Sequence, residues 1–206
     1  MKFMDMEYVV FDVETTGLSP LDGDRIIELA AARVRKGRIV DRYTTFVNPL
    51  RPLNVEAQKL NKITQQMVEG APTASDILPK FMAFTGGACL VAHNASFDIK
   101  FVSFELALAG RKLHEGTPVL DTMKMSKSFL PHLTSQRLSY IAHSLGVPVG
   151  DTHRAMADVE ILVGVLARLF ALAPDYNVRT FQDLIAQFGV EKPNFRIKSA
   201  EQPSFF

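Results

Sequence analysis

The chain has 206 residues, 47% hydrophobic and 22% charged, with twelve glycines, eleven prolines and one cysteine, which excludes collagen, coiled coil and wholesale disorder. The lone Cys89 excludes a disulfide framework or a cysteine-rich metal site, and is read as a small core residue. With 23 basic against 22 acidic side chains the net charge is +1, so any nucleic-acid binding has to come from a local site rather than from bulk charge.

A chain of this size buries about two thirds of the surface it exposes when unfolded and needs no staple. One domain is expected over 1–189, with 190–206 as a C-terminal tail because periodicity is lost in EKPNFRIKSAEQPSFF. The longest apolar run, 161–173, is cut by Gly164 and Arg168 and falls short of the roughly 18 residues that cross a bilayer. Asp5, Glu7, Asp12 and Glu14 interrupt the N-terminal run, so no secretory signal is read and a cytoplasmic protein is expected.

In chain order, YVVFDV at 8–13 is short, apolar and β-branched, as a buried central strand is. Runs 26–34 and 38–47, separated by Arg35, Lys36 and Gly37, have the spacing of an antiparallel hairpin. Helical patterns follow at 55–60, 64–68 and 75–84, then a fourth strand at 89–92 and an amphipathic helix at 97–109 stopped by Gly110. A fifth strand fits 118–120, and helices fit 137–145, 154–172 and 181–188, with Gly146, Pro148 and Pro174 as stops. Three strands followed by alternating helices and strands predict an α/β fold with a mixed sheet and helices on its faces.

Asp12 and Glu14 stand two apart in the first strand, so both project from one face. Two readings are open for such a pair: a strand end with solvated acids, or buried carboxylates that require a compensating cation. After them Thr15, Thr16, Gly17 and Leu18 leave the strand as a turn whose backbone amides are expected to be free for a phosphate or hydroxyl. Asp98 follows the fourth strand, at the carboxyl edge where open α/β sheets bind ligands. Asp158 interrupts the apolar pattern of the 154–172 helix, and His153 precedes that helix. A helix dipole or cap explains Asp98 and His153 taken singly.

The segments DVETTGL, HNASFD and HRAMAD, in that order, resemble the three exonuclease motifs of the DEDDh 3′→5′ exonucleases, the ribonuclease-H-like family that includes the proofreading epsilon subunit of bacterial DNA polymerase III. The likeness spans residues 8–172, and the joint occurrence is more specific than any one motif. It implies a five-stranded mixed sheet whose first three strands are antiparallel. It also implies Asp12, Glu14, Asp98 and Asp158 around two divalent cations, Mg²⁺ or Mn²⁺, with His153 as general base. Oxygen ligands suit these hard cations, and no Cys/His set for zinc is present. The same likeness places Thr15 and Thr16 at a terminal 3′-hydroxyl, and Leu18 and Phe97 against terminal bases. Glu56 matches a nucleotide-binding glutamate of epsilon-like relatives, and Asn61 stands where they carry a histidine.

The implied activity is hydrolysis of terminal DNA phosphodiesters at single-stranded or frayed 3′ ends, releasing nucleoside 5′-monophosphates in proofreading or repair. An exoribonuclease trimming RNA and a catalytically silent replication docking module are the alternatives. At the C-terminus Gln202, Ser204, Phe205 and Phe206 resemble the short peptides with which bacterial replication proteins bind the sliding clamp, which adds a clamp and a polymerase subunit to the implied partners. No membrane partner is expected.

Overall fold

A computed structural model describes residues 3–150 and 154–195. The strands are β1 (Glu7–Thr15), β2 (Ile26–Arg35), β3 (Arg38–Phe46), β4 (Cys89–Ala92) and β5 (Val119–Asp121). The α-helices are α1 (Val55–Asn61), α2 (Gln65–Glu69), α3 (Ala74–Thr85), α4 (Ala95–Leu108), α5 (Thr122–Phe129), α6 (Leu138–Ser144), α7 (Ala155–Leu172) and α8 (Phe181–Phe188). One sheet runs in the order β3-β2-β1-β4-β5. β1 pairs antiparallel with β2, and β2 with β3, while β1–β4 and β4–β5 are parallel. The mixed five-stranded ribonuclease-H-like sheet is therefore present, its first three strands antiparallel.

Alternation along β1 assigns its side chains to two cores. Val9, Phe11 and Val13 face the layer that holds Phe81 of α3 and Ile99 and Val102 of α4. Tyr8 and Val10 face the opposite layer, where Leu162, Val165, Leu166 and Leu169 of α7 cover the sheet. Asp12 and Glu14 continue the α7 face at positions where the pattern would otherwise place apolar residues. The sheet thus aims both acids at the first turn of α7.

Two differences from the pattern-based reading, at α5 and at the start of α4, have local causes, and Pro79 lies inside α3 as the expected helix 75–84 has it. Helix α5 is short and carries few apolar residues, so the sequence pattern does not predict it, yet Asp121 caps it by accepting the Met123 amide at 2.8 Å, and Met125 and Phe129 bury one side. Helix α4 starts at Ala95, ahead of the expected 97, because Asn94 adopts φ +67° and turns the chain directly out of β4. Pro79 sits inside α3 without ending it; the carbonyl it deprives of an amide belongs to exposed Ser75, which water can satisfy. Gly164 is needed inside α7, since a Cβ there would fall 2.7 Å from Val147 Cγ1.

Beyond α8 the chain returns to the sheet. Gly189 bridges Leu120, the Val190 amide donates to the Val119 carbonyl at 3.0 Å, and Lys192 Nζ donates to the carbonyls of Glu115 and Thr117 at 2.6 and 2.5 Å. Phe195 stacks edge-on against Phe104 of α4, ring centroids 5.3 Å apart. Gln202, Ser204, Phe205 and Phe206 lie outside the described residues. No helix among the described residues is long and apolar enough to cross a membrane.

Candidate active site

Asp12 and Glu14 of β1 and Asp158 of α7 offer carboxylate oxygens that all lie within 4.8 Å of one another. Asp98, buried in the first turn of α4, stands beside them but is partly committed: its Oδ1 accepts the Val13 amide at 3.1 Å, which ties α4 to β1. His153 lies outside the described residues, immediately before Arg154.

Burial raises the Asp12 carboxyl well above the usual carboxylate range, and the negative charges of Asp98, Glu14 and Asp158 push the same way. Burial likewise lifts Glu14 to about 7, with Asp158 and Glu28 adding to the rise and Arg154 opposing it. Three oxygen donors gathered this closely and this uncomfortable when ionised fit a hard divalent cation.

Glu28, which the sequence reading did not single out, is the counterpart of Glu14 across the β1–β2 ladder and is buried. Its oxygens are already spent: Oε1 accepts from Arg154 Nη2 at 3.1 Å and Oε2 accepts the Ala155 amide at 3.2 Å. The Arg154 guanidinium in turn lies over the Phe46 ring, 5.2 Å from its centroid. Glu28 therefore fixes the start of α7, and with it the approach of Asp158, without competing for a cation. The signal was available, since an acid flanked by Ile26, Ile27, Leu29 and Ala30 has to find a partner when buried. With Mg²⁺ present, Glu28→Ala is expected to cost about 2 kcal/mol by leaving the Ala155 amide and Arg154 without their acceptor. The check is a urea titration, where an unchanged midpoint would show that α7 is anchored by other contacts.

The turn after β1 is more tightly held than expected. The Thr16 amide is not free, because it donates to the Arg25 carbonyl at 2.9 Å. Asp24 accepts from Thr16 Oγ1 at 3.0 Å and from the Ser19 amide at 3.1 Å, and its carboxylate crowds Gly17 so closely that a Cβ would fall 2.4 Å from Oδ2. Among the described residues the Gly17 and Leu18 amides have no acceptor, and these are the donors the turn leaves for a ligand. Both ends of α1 brace this turn: Asn54 Nδ2 donates to the Thr16 carbonyl at 3.0 Å and Asn61 Nδ2 to the Thr15 carbonyl at 3.1 Å. The Asn61 amide nitrogen is thus engaged in shaping the turn.

Thr15, Thr16, Leu18, Glu56, Asn61 and Phe97 come together, with Glu14, around one cavity of about 360 Å³. Leu18 is 82% exposed, so it is no core residue, and Leu60, 62% exposed, stands at the same rim. On the other side of Leu60 a second cavity of about 520 Å³ is walled by Asp12, Asp158, His93, Arg137, Leu138 and Ser139. His93 is held by its surroundings, with Nδ1 2.9 Å from Thr122 Oγ1 and Nε2 2.7 Å from the Gln136 carbonyl. Burial lowers its pKa, which favours the neutral ring that this pairing accommodates.

Acids gathered at the carboxyl ends of β1 and β4, on a mixed sheet of this order, are the arrangement that the resemblance to ribonuclease-H-like exonucleases implies. The chain belongs to the Exonuclease family (RNase_T), whose model matches residues 9–166. It is 42% identical over 162 residues to a PolC-type DNA polymerase III of Clostridium perfringens, covering 79% of this chain and 11% of that protein. The chain spans only about a tenth of the length of the curated relatives it matches. Among solved structures, Exonuclease X in complex with 5′ overhanging duplex DNA is 26% identical, with a TM-score of 0.67 over 86% of this chain and 96% of that one. The nuclease domain of 3′hExo, a DEDDh family member bound to rAMP, superposes with a TM-score of 0.74 over 94% and 100% of the two chains; at 18% identity this likeness concerns the fold.

Proposed function

We propose that the chain is a metal-dependent 3′→5′ exonuclease that shortens DNA from single-stranded or frayed 3′ ends. The observation that carries this reading is the set of three carboxylates within 4.8 Å of one another, opening beside a cavity rimmed by Leu18, Leu60 and Phe97. Asp12, Glu14 and Asp158, with Asp98 beside them, would hold two divalent cations, Mg²⁺ or Mn²⁺. Such ions supply Lewis-acid stabilisation of charge on the attacking and leaving oxygens.

The protein's own groups do the rest. Thr15, Thr16, Gly17 and Leu18 bound the 360 Å³ cavity that would take the terminal nucleoside, and the Gly17 and Leu18 amides, which have no acceptor among the described residues, are the donors available to its hydroxyl. Leu18 and Phe97 offer apolar surface to unpaired bases, and Glu56 accepts from the sugar or base. His153 takes the proton from the attacking water, whose oxygen bonds to phosphorus as the P–O3′ bond of the preceding nucleotide breaks. The products are a nucleoside 5′-monophosphate and a strand one residue shorter with a free 3′-hydroxyl.

Likeness to PolC-type DNA polymerase III favours DNA and a proofreading role, with a polymerase as partner. The test is a 5′-labelled, 3′-protruding DNA oligonucleotide incubated with Mg²⁺, Mn²⁺ or chelator, beside an RNA of matched sequence. A metal-dependent ladder of stepwise shortening, faster on DNA, is the expected result. A ladder on RNA alone would make the chain an exoribonuclease, and no ladder on either would leave a docking module.

A further inference from the structure

The two cavities that meet at Leu60 differ in what they offer a polyanion. The one proposed to take the terminal nucleoside carries Glu14 and Glu56 and, among the described lining residues, no Lys or Arg. The other carries Asp12 and Asp158, and its one Lys or Arg among the described lining residues is Arg137. On the exonuclease reading, a DNA strand whose last nucleoside occupied the first cavity would pass the acids and enter the second, which shares Leu60 with the first. Its phosphates there need a positive partner that the walls otherwise lack.

We propose that Arg137 clamps the phosphate one step to the 5′ side of the linkage being cut, a role that rests on the exonuclease reading above. Arg137 is exposed and makes no ion pair among the described residues, although two carboxylates share its cavity. Its guanidinium donors are therefore available, and their planar fork matches two phosphate oxygens. The cut phosphate itself sits against Asp12, Glu14 and Asp158, where divalent ions neutralise it. The next phosphate lies beyond those ions, on the side where Arg137 stands. Its local scaffold is firm: His93 Nε2 meets the carbonyl of the preceding residue, Gln136, whose Oε1 accepts from Ser126 Oγ at 2.6 Å.

The experiment measures binding by fluorescence anisotropy in Ca²⁺, with turnover suppressed, for wild type, Arg137→Ala and Arg137→Lys. Two oligonucleotides are compared: one all phosphodiester, one with a single uncharged methylphosphonate at the second linkage from the 3′ end. Arg137→Ala is expected to bind the phosphodiester strand about tenfold more weakly, with Arg137→Lys between the two, and the salt slope to fall by about 0.7. On the methylphosphonate strand wild type and Arg137→Ala should bind alike. A variant that binds both strands as wild type does, or that keeps its full deficit on the methylphosphonate strand, overturns the clamp. If wild type shows the binding pattern but no shortening in Mg²⁺ or Mn²⁺, the exonuclease reading falls and the clamp as a part of catalysis falls with it, leaving Arg137 as a contact to the second phosphate from a bound 3′ end. Shortening with no binding difference overturns the clamp alone.

Discussion

Asp12→Asn is expected to lower the exonuclease rate by about 10³-fold while raising the thermal midpoint of the metal-free protein. The first effect follows because Asp12 stands at the centre of the acidic group: Asp98, Glu14 and Asp158 all act on its charge. Removing its charge while keeping its shape weakens the hold on divalent ions, which contribute several kcal/mol to the transition state, and each 1.36 kcal/mol is a factor of ten. The second effect has the opposite sign because an uncharged amide ends the repulsion among buried carboxylates. Oligonucleotide turnover and a thermal melt in chelator together make the check. Near wild-type turnover would remove Asp12 from the metal site, and a lowered midpoint would show that the acids are not in conflict when the ions are absent.

The second large effect is a reversal of the pH dependence of stability by metal. In the metal-free fold Glu14 titrates at about 7 against 4.5 when unperturbed, and burial shifts Asp12 and Asp98 in the same direction. A carboxyl raised in the folded state contributes its full stability below the unfolded value and loses it as pH rises through the folded value. Metal-free protein should therefore melt at a higher temperature near pH 5 than near pH 8. For Glu14 alone the difference is on the order of 3 kcal/mol, or about 6–12 °C in Tm for a chain of this size. Mg²⁺ or Mn²⁺ bound to the ionised carboxylates removes that penalty, so the rise in Tm on adding metal should be small near pH 5 and large near pH 8. Melts across that range with and without chelator measure it; a metal-induced shift independent of pH would argue against carboxylate ligation.

The sheet was largely legible because β1 and β2 carry long apolar runs and β3 follows β2 after only Lys36 and Gly37, the spacing of a hairpin. Asp12 and Glu14 were legible for the same reason, as a period-two pattern shows which acids share a face. Glu28 gave the same local signal but its partner, Arg154, is 126 residues away, and only the fold brings the two together. Arg137 was beyond reach altogether, since nothing in SQRLSYIAH marks that side chain as sharing a cavity with Asp12 and Asp158. The turn begins at Thr16 rather than Thr15, which still pairs with Ile26 in the ladder, and its hydrogen bonding was misjudged because Arg25, Asn54 and Asn61 reach it from segments that sequence order keeps apart.

The return of the chain along β5 has a consequence for solubility. A parallel strand of three residues at the margin of a sheet exposes amides and carbonyls that another molecule can pair with. Here Gly189 and Val190 pair with Leu120 and Val119, while the opposite margin, β3, is guarded by Arg38, Asp41 and Arg42, side chains that resist stacking against a second copy. The two margins are thus protected by different means, one by the chain's own backbone and the other by charge. Shortening the polypeptide to the last turn of α8 would uncover the first and leave the second intact, so self-association of such a fragment would begin at β5.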